Sequence, residues 1–313
     1  MTPTHLALSP LVVRLFIKPP LVPLIVIGCL IDGFLSFGNL RILAQSIGTD
    51  GIVVVGMTIV MISGGFDLSV GAVLAMGGVA AVTLLPHGIL PAMIGAGAVG
   101  GIAGLLNGTF VTRLAINPFI ATLAVMVMVR GATLAFTNTR PVVSLDDQFL
   151  HIGQGQPLPY SFMIMVAIMV TAHIVLNHRP WGRHAYAVGA EESASAMMGL
   201  RVRRIKTQCY LISGVLAGIA GFLLAARLGT GSPIIGETTA LTAASAALIG
   251  GATLKGGEGS IAGAFVGLVF IGCLINIMNL IDVPSYYQRM TIGLILLALV
   301  VSTAFLLLAL PQA

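Results

Sequence analysis

The sequence predicts an all-α membrane protein crossing the bilayer about ten times, and two observations carry that prediction. Of 313 residues, 57% are apolar and only 8% charged, where a soluble domain carries about 25% charged residues and needs them for its surface. The apolar residues also fall into runs of about 18 or more, long enough to cross the hydrocarbon core as helices whose backbone groups are satisfied internally. A membrane β-barrel would need segments of about ten residues that alternate apolar with polar. Stretches such as Phe162 to Leu176 and Leu294 to Leu310 do not alternate.

Read in order, the candidate spans are 21–37, 40–63, 67–86, 90–112, 118–137, 160–177, 208–228, 238–254, 261–280 and 289–309, within a single transmembrane domain, 1–313. The first follows Arg14 and Lys18 and is followed by no small-residue cleavage pattern, so it reads as a retained span. The second begins polar, with Arg41, Gln45 and Asp50, and the eighth is rich in Ala and Thr. Both are expected to be broken or partly inserted, which a membrane tolerates only where the chain faces protein or a watery cavity. The third opens at the glycine-broken junction Ser63-Gly64-Gly65-Phe66-Asp67-Leu68-Ser69-Val70-Gly71. Asp67 there is expected either to cap a helix starting at Leu68 or to make a polar contact on a solute path.

The fourth span carries Gly95, Gly97 and Gly100 in the order of a dinucleotide-binding loop. With Gly101, Gly104 and Gly108 close behind and no strand before it, the run predicts close helix packing instead. His173 is the one histidine inside a span and is expected to hold a packing hydrogen bond. Cys29, Cys209 and Cys273 show no metal-ligand or disulfide spacing. No phosphate loop of the G-x-x-x-x-G-K-[ST] type is present, so the chain is expected to bind no cofactor, hold no metal and catalyse no reaction. No acid/base or nucleophilic constellation is visible either.

The net charge of +5 reports topology rather than nucleic-acid binding, because the basic residues sit between apolar runs. Six of them, Arg179, Arg183, Arg201, Arg203, Arg204 and Lys206, lie in the connection 178–208, which the positive-inside rule places in the cytoplasm. The connection 138–159 has one Arg and two Asp and belongs on the other side, so both termini are expected to be cytoplasmic. Within 178–208, the tract Gly189 to Gly199 predicts a short helix with Glu191 and Glu192 at its start and a glycine stop. Such a helix is suited to be either a lever for a soluble motor or an interfacial amphipathic segment. A faint repeat pairs Gly104, Asn107 and Asn117-Pro118 with Gly272, Asn276 and Val283-Pro284. It implies an inverted repeat of spans two to five against seven to ten.

Taken together, these residues resemble the permease subunits of ribose-type sugar ABC importers, the binding-protein-dependent inner-membrane family. The resemblance rests on Gly56-Met57-Thr58 with Ser63 to Gly71, on Phe119 to Leu123 with Arg130-Gly131, on Gly189 to Gly199 with Lys206, and on Leu248 to Gly251, Gly256 to Gly259 and Ser285 to Gln288. It implies a bacterial inner-membrane subunit that pairs with a second permease, an ABC ATPase that binds ATP and Mg, and a periplasmic sugar-binding protein. It also implies that Gly189, Glu191, Glu192, Ala194 and Gly199 form the ATPase-coupling loop. Ser193 stands for a usual Ala and Ala196 for a usual Arg; Thr242 and Ala240 stand where many relatives carry acids, with Glu237 the nearest carboxylate.

The expected activity is import of a monosaccharide or related furanosyl compound by alternating access. Candidate path-lining residues are Asp67, Ser69, Asn107, Asn117, Phe119, Asn276 and Gln288. The rival expectation is an ion-coupled secondary carrier, for which Asp67 is the one suitable membrane-buried carboxylate.

Overall fold

The computed structural model describes residues 21–155 and 159–309, with side chains described up to residue 301. Arg14 and Lys18 lie outside the described residues. Thirteen α-helices make up the described chain: α1 (Leu21–Cys29), α2 (Phe37–Ile62), α3 (Val70–Leu84), α4 (Ile89–Thr112), α5 (Pro118–Thr137), α6 (Asp147–Gln154), α7 (Tyr160–His178), α8 (Pro180–Ala190), α9 (Glu192–Met197), α10 (Val202–Leu228), α11 (Thr239–Ile249), α12 (Ile261–Leu280) and α13 (Ser285–Ala309). Six of these, and α3 together with the single turn of tighter helix that continues it to His87, are long and apolar enough to cross a membrane. That makes seven candidate spans among the described residues where the sequence suggests about ten, and the protein is an all-α polytopic membrane protein.

Helices α2 and α10 form the centre and are mostly buried, whereas α5 and α7 expose most of their surface to whatever surrounds the bundle. The centre closes through small residues. A methyl placed on Gly100 of α4 would lie 2.0 Å from the Gly214 carbonyl oxygen of α10, and one on Gly214 would lie 2.1 Å from that of Gly100. Gly104 meets the Tyr210 carbonyl, Gly218 meets that of Ala96 and Gly221 that of Leu74 in the same way. Between helices in lipid, where apolar burial supplies no drive, such close backbone approach is what gains dispersion energy. The glycine run of the fourth span is therefore a packing stripe, as its composition predicts.

The two suspect spans behave differently. Helix α2 is one unbroken helix, contrary to expectation, because its polar start is used up by contacts within the protein. The Arg41 guanidinium donates to the Gln154 carbonyl at 2.6 Å, and Gln45 donates to the same oxygen at 3.3 Å. The eighth span is broken. After α10 the chain makes a two-residue antiparallel pairing, Val142 with Gly231 and Val143 with Thr230, and runs on without helix to Thr238 before the 11 residues of α11.

That break dips deep into the bundle. Gly236 packs so tightly on Gly71 that a methyl on Gly71 would lie 2.0 Å from its carbonyl oxygen. Gly71 is the second residue of α3, about 20 Å of helix from Leu84 at a 1.5 Å rise per residue. The half-helix α11 covers the remaining ~16 Å to the other end of the bundle.

The two ends are chemically distinct. One carries α8, α9 and the arginines of 178–208; the other carries the turn after α3, the β pairing and α6. On α6, Asp146 caps the helix by accepting from the Phe149 amide at 2.8 Å, and Phe149 packs edge-on against Phe222 of α10 at 5.4 Å. The described part of the low-charge connection, 138–155, thus covers the end opposite the basic one.

Candidate functional site: a basic-end hairpin joined to a buried carboxylate

At the basic end the sequence builds a two-helix hairpin. Pro180 at the first position of α8 has the backbone angle a helix needs, after an extended Arg179. Helix α8, which the sequence did not single out, stops at Glu191, whose extended backbone turns the chain. Its carboxylate accepts from the Ser193 hydroxyl at 2.7 Å and the Ser193 amide at 3.3 Å, capping α9. Glu192 pairs with Lys206 of α10. Gly199, at φ +81°, closes α9 in the left-handed region, with the Leu200 amide returning to the Ser195 carbonyl at 3.1 Å.

The hairpin's tip is apolar yet exposed: Met197 is 82% and Met198 70% accessible, beside exposed Arg201, Arg203 and Arg204. Soluble surfaces rarely show adjacent bare methionines unless something docks there.

The hairpin's base is locked by backbone. The Gly257 amide donates to the Ile62 carbonyl at the end of α2, at 2.9 Å. Gly189 lies against this bond, where a methyl would come within 1.8 Å of the Ile62 oxygen and 2.6 Å of the Gly257 nitrogen. A methyl on Gly256 would lie 2.5 Å from the Gly64 Cα, and both residues hold positive φ, +90° and +73°. The Tyr186 hydroxyl adds a 2.8 Å bond to the Gly259 carbonyl. Burial raises the Tyr186 phenol pKa, which keeps the hydroxyl a donor at every physiological pH.

Gly64 opens the break that leads to Asp67. The Asp67 carboxylate is completely buried, and its Oδ1 accepts from the Ser69 hydroxyl at 2.6 Å, the Ser69 amide at 3.0 Å and Asn107 Nδ2 at 3.2 Å. Its Oδ2 accepts from the Ser213 hydroxyl at 3.1 Å. Three helices thereby meet on one carboxylate. Helix α3 begins at Val70, two residues later than expected, with Ser69 in the cap position and making no side-chain cap bond. Asp67 thus serves the helix start through the Ser69 amide and ties α4 and α10 to it as well.

The other candidate residues lie elsewhere. Asn117 caps α5 by accepting from the Phe119 amide at 2.9 Å, and exposed Phe119 stacks on Phe66 at 6.1 Å. Asn276 exchanges two hydrogen bonds with Asn39, at 2.9 and 2.8 Å, joining α12 to α2. Gln288 holds the turn between α12 and α13 through the Asn279 side chain and the Val283 carbonyl, both at 2.8 Å. His173 bonds to Asn177 one turn on in α7 at 3.1 Å but is exposed rather than packed between helices, contrary to the expected packing role, and it borders a 320 Å³ groove with Val166, Met169 and Phe265. That groove is apolar and suits an acyl chain rather than a polar solute.

Sequence reasoning missed Ser213, Thr122 and Tyr210. Tyr210 accepts from the Phe66 amide and donates to the Phe66 carbonyl, both at 3.3 Å. Thr122 accepts from the Leu68 amide at 3.2 Å. A lone hydroxyl in an apolar run, as at Ser213 beside Gly214, was the available signal.

The fold is that of a polytopic membrane protein with a half-helix at one end of the bundle and an exposed hairpin at the other, and the comparisons with known proteins make it a membrane permease. The permease component family described as branched-chain amino acid transport system matches residues 39–300, and the chain belongs to that family. It is 36% identical over 279 residues to the ribose import permease of Bacillus subtilis, covering 87% of each chain. It is 35% identical over 285 residues to that of Escherichia coli K12, covering 88% of this chain and 89% of the relative. The L-arabinose permease of Azospirillum brasilense is 34% identical over 271 residues, or 85% of this chain and 80% of the relative. Within the family the chain is a ribose-type ABC permease. No solved structure gives a significant match.

Proposed function

We propose that this chain is the membrane-spanning half of a binding-protein-dependent importer that moves a monosaccharide, or a related furanosyl compound, into the cytoplasm by alternating access. A second permease completes the path, a separate ABC ATPase holding ATP and Mg drives it, and a periplasmic binding protein delivers the solute. The basic end and the loop 178–208 face the cytoplasm of a bacterial inner membrane, with both termini on that side. The exposed Met197-Met198 tip, with Gly189, Glu191, Glu192, Ala194 and Gly199 framing it, receives the ATPase.

One observation carries the reading: the tip stands on backbone contacts that reach Gly64, and Gly64 leads within three residues to the carboxylate joining α3, α4 and α10. Movement at the tip is therefore passed to the centre without a flexible side chain between them. Asp67, Ser69 and Asn107 act as a lock beside the path, with Asn107 Oδ1 a buried acceptor that has no partner among the described residues; Asn117, Phe119, Asn276 and Gln288 border it at the helix ends. An inverted repeat of α2–α5 against α10–α13 fits the helix lengths. In each half a long helix of 26 or 27 residues is followed by a break and a short helix of 15 or 11.

The sugar reading follows the relatives' names, whereas the family description favours amino acids. Reconstitution of the chain with its ATPase and binding protein in proteoliposomes separates them. Uptake of labelled D-ribose or L-arabinose that requires ATP and both partners is expected. Uptake of L-leucine instead, or uptake by the chain alone under an ion gradient, would contradict the proposal.

A further inference from the structure

Two arginines from helices on either side converge on the broken eighth span. From α5, the Arg130 guanidinium donates to the Pro233 carbonyl and to the Ile235 carbonyl, the latter at 2.8 Å. From the second turn of α13, Arg289 pairs with Glu237 at 3.4 Å. Arg130 also lies within electrostatic reach of Glu237. The non-helical strand is thus held open in the bundle, its free carbonyls taken by one arginine and its carboxylate by the other.

The position of this pair is what demands an occupant. Glu237 follows Gly236, which is fixed against Gly71 about 20 Å along α3 from Leu84, inside the bundle rather than at its end. Yet the Glu237 side chain is 63% exposed and that of Arg289 is 61%. Charges at that depth do not face acyl chains; they line water-filled cavities or meet protein. The Asp67 carboxylate shows the alternative, since it is wholly enclosed and hydrogen-bonded on both oxygens.

The remaining features suit a neutral polyol. A carboxylate accepts two hydroxyl protons side by side, and a guanidinium donates two parallel N–H bonds to neighbouring hydroxyl oxygens. Together they match a vicinal diol without leaving net charge in the path. Tyr286, 60% exposed, lies three residues before Arg289 and so on the same helix face, one turn nearer the mouth, where its ring offers a flat apolar surface to a sugar.

Resting on the importer reading above, we propose that Glu237 and Arg289 form a polyol-binding subsite on the translocation path, with Arg130 as the residue that positions its backbone. The site opens toward the end opposite the basic one.

The test uses the reconstituted transporter with ATPase and binding protein. In a Glu237→Cys variant, a membrane-impermeant cationic methanethiosulfonate added from the binding-protein side should label the new thiol above the level seen with the unmodified chain. Added D-ribose should slow that labelling. Glu237→Gln and Arg289→Gln, checked for assembly by size-exclusion chromatography, should each lower D-ribose and L-arabinose uptake at least tenfold. The charge-swapped double variant, E237R with R289E, should not recover it. No labelling of the introduced thiol, uptake unchanged in the single variants, or full recovery by the swap would overturn the subsite, the last by showing a brace between helices. A transporter whose unmodified form takes up neither sugar would overturn the importer reading and the subsite with it.

Discussion

The chain breaks its helices at two places inside the membrane, and each break carries one carboxylate, but the two are handled in opposite ways. The break at 63–69 is sealed: Asp67 is buried and gathers neutral donors from α3, α4 and α10. The break at 229–238 is open: Glu237 is exposed and answered by an arginine. A buried carboxylate without a cation is stable only when both oxygens are hydrogen-bonded, and three donors on Oδ1 with one on Oδ2 hold the first break rigid. An exposed ion pair contributes little to the fold, which is why we assign the second break, as proposed above, to the solute rather than to stability.

Thermal unfolding of purified variants distinguishes the sealed break from the open one. Asp67→Ala leaves the Ser69 amide and the buried Ser69 and Ser213 hydroxyls without their acceptor, while Asn107 keeps only its bond to the Ser69 hydroxyl, and is expected to cost about 3 kcal/mol or more, several times the usual surface effect. Asn276→Ala removes one reciprocal amide pair between α2 and α12, and measured polar pairs between membrane helices predict a loss of about 0.6 kcal/mol. Glu237→Gln should cost least, about 0.5 kcal/mol, although it abolishes most uptake. A larger loss for Glu237→Gln than for Asp67→Ala would reverse the roles assigned to the two breaks.

Much of the fold was legible because lipid imposes simple rules. Long apolar runs gave seven of the roughly ten spans expected, the first run, 21–37, forming only the nine-residue α1; the clustered arginines marked one end, and the Ala- and Thr-rich eighth span declared its own weakness. The packing stripe of the fourth span was legible because repeated glycine in an apolar helix has few other uses. The second span misled because polar residues are equally suited to a cavity and to a neighbour. Arg41 and Gln45 serve the carbonyl of Gln154, more than a hundred residues away, and no local pattern reveals that.

The candidate site divides along the same line. Glu191 as cap and Gly199 as stop are local, so the short helix between them could be read directly. Asn117 and Gln288 are local too, and their capping and turn bonds explain why they are polar without reference to a solute. Ser213 under Asp67, the Arg130 clamp and the approach of Gly189 to Ile62 are set by tertiary contacts alone. Arg130 was visible in the sequence as a charge within a span, but its partners at 233 and 235 were not.

The central claim is that the basic-end hairpin passes movement to the membrane interior through backbone contact at Gly189. In proteoliposomes, the stimulation of ATPase activity by solute-loaded binding protein measures that transfer directly. Gly189→Val would force its side chain onto the Ile62–Gly257 hydrogen bond, whereas Gly131→Val on α5 meets nothing within 4 Å and serves as the control. The account predicts stimulation lost with Gly189→Val and retained with Gly131→Val, in complexes that assemble equally. Stimulation of the Gly189→Val complex equal to that of the unmodified one would contradict it.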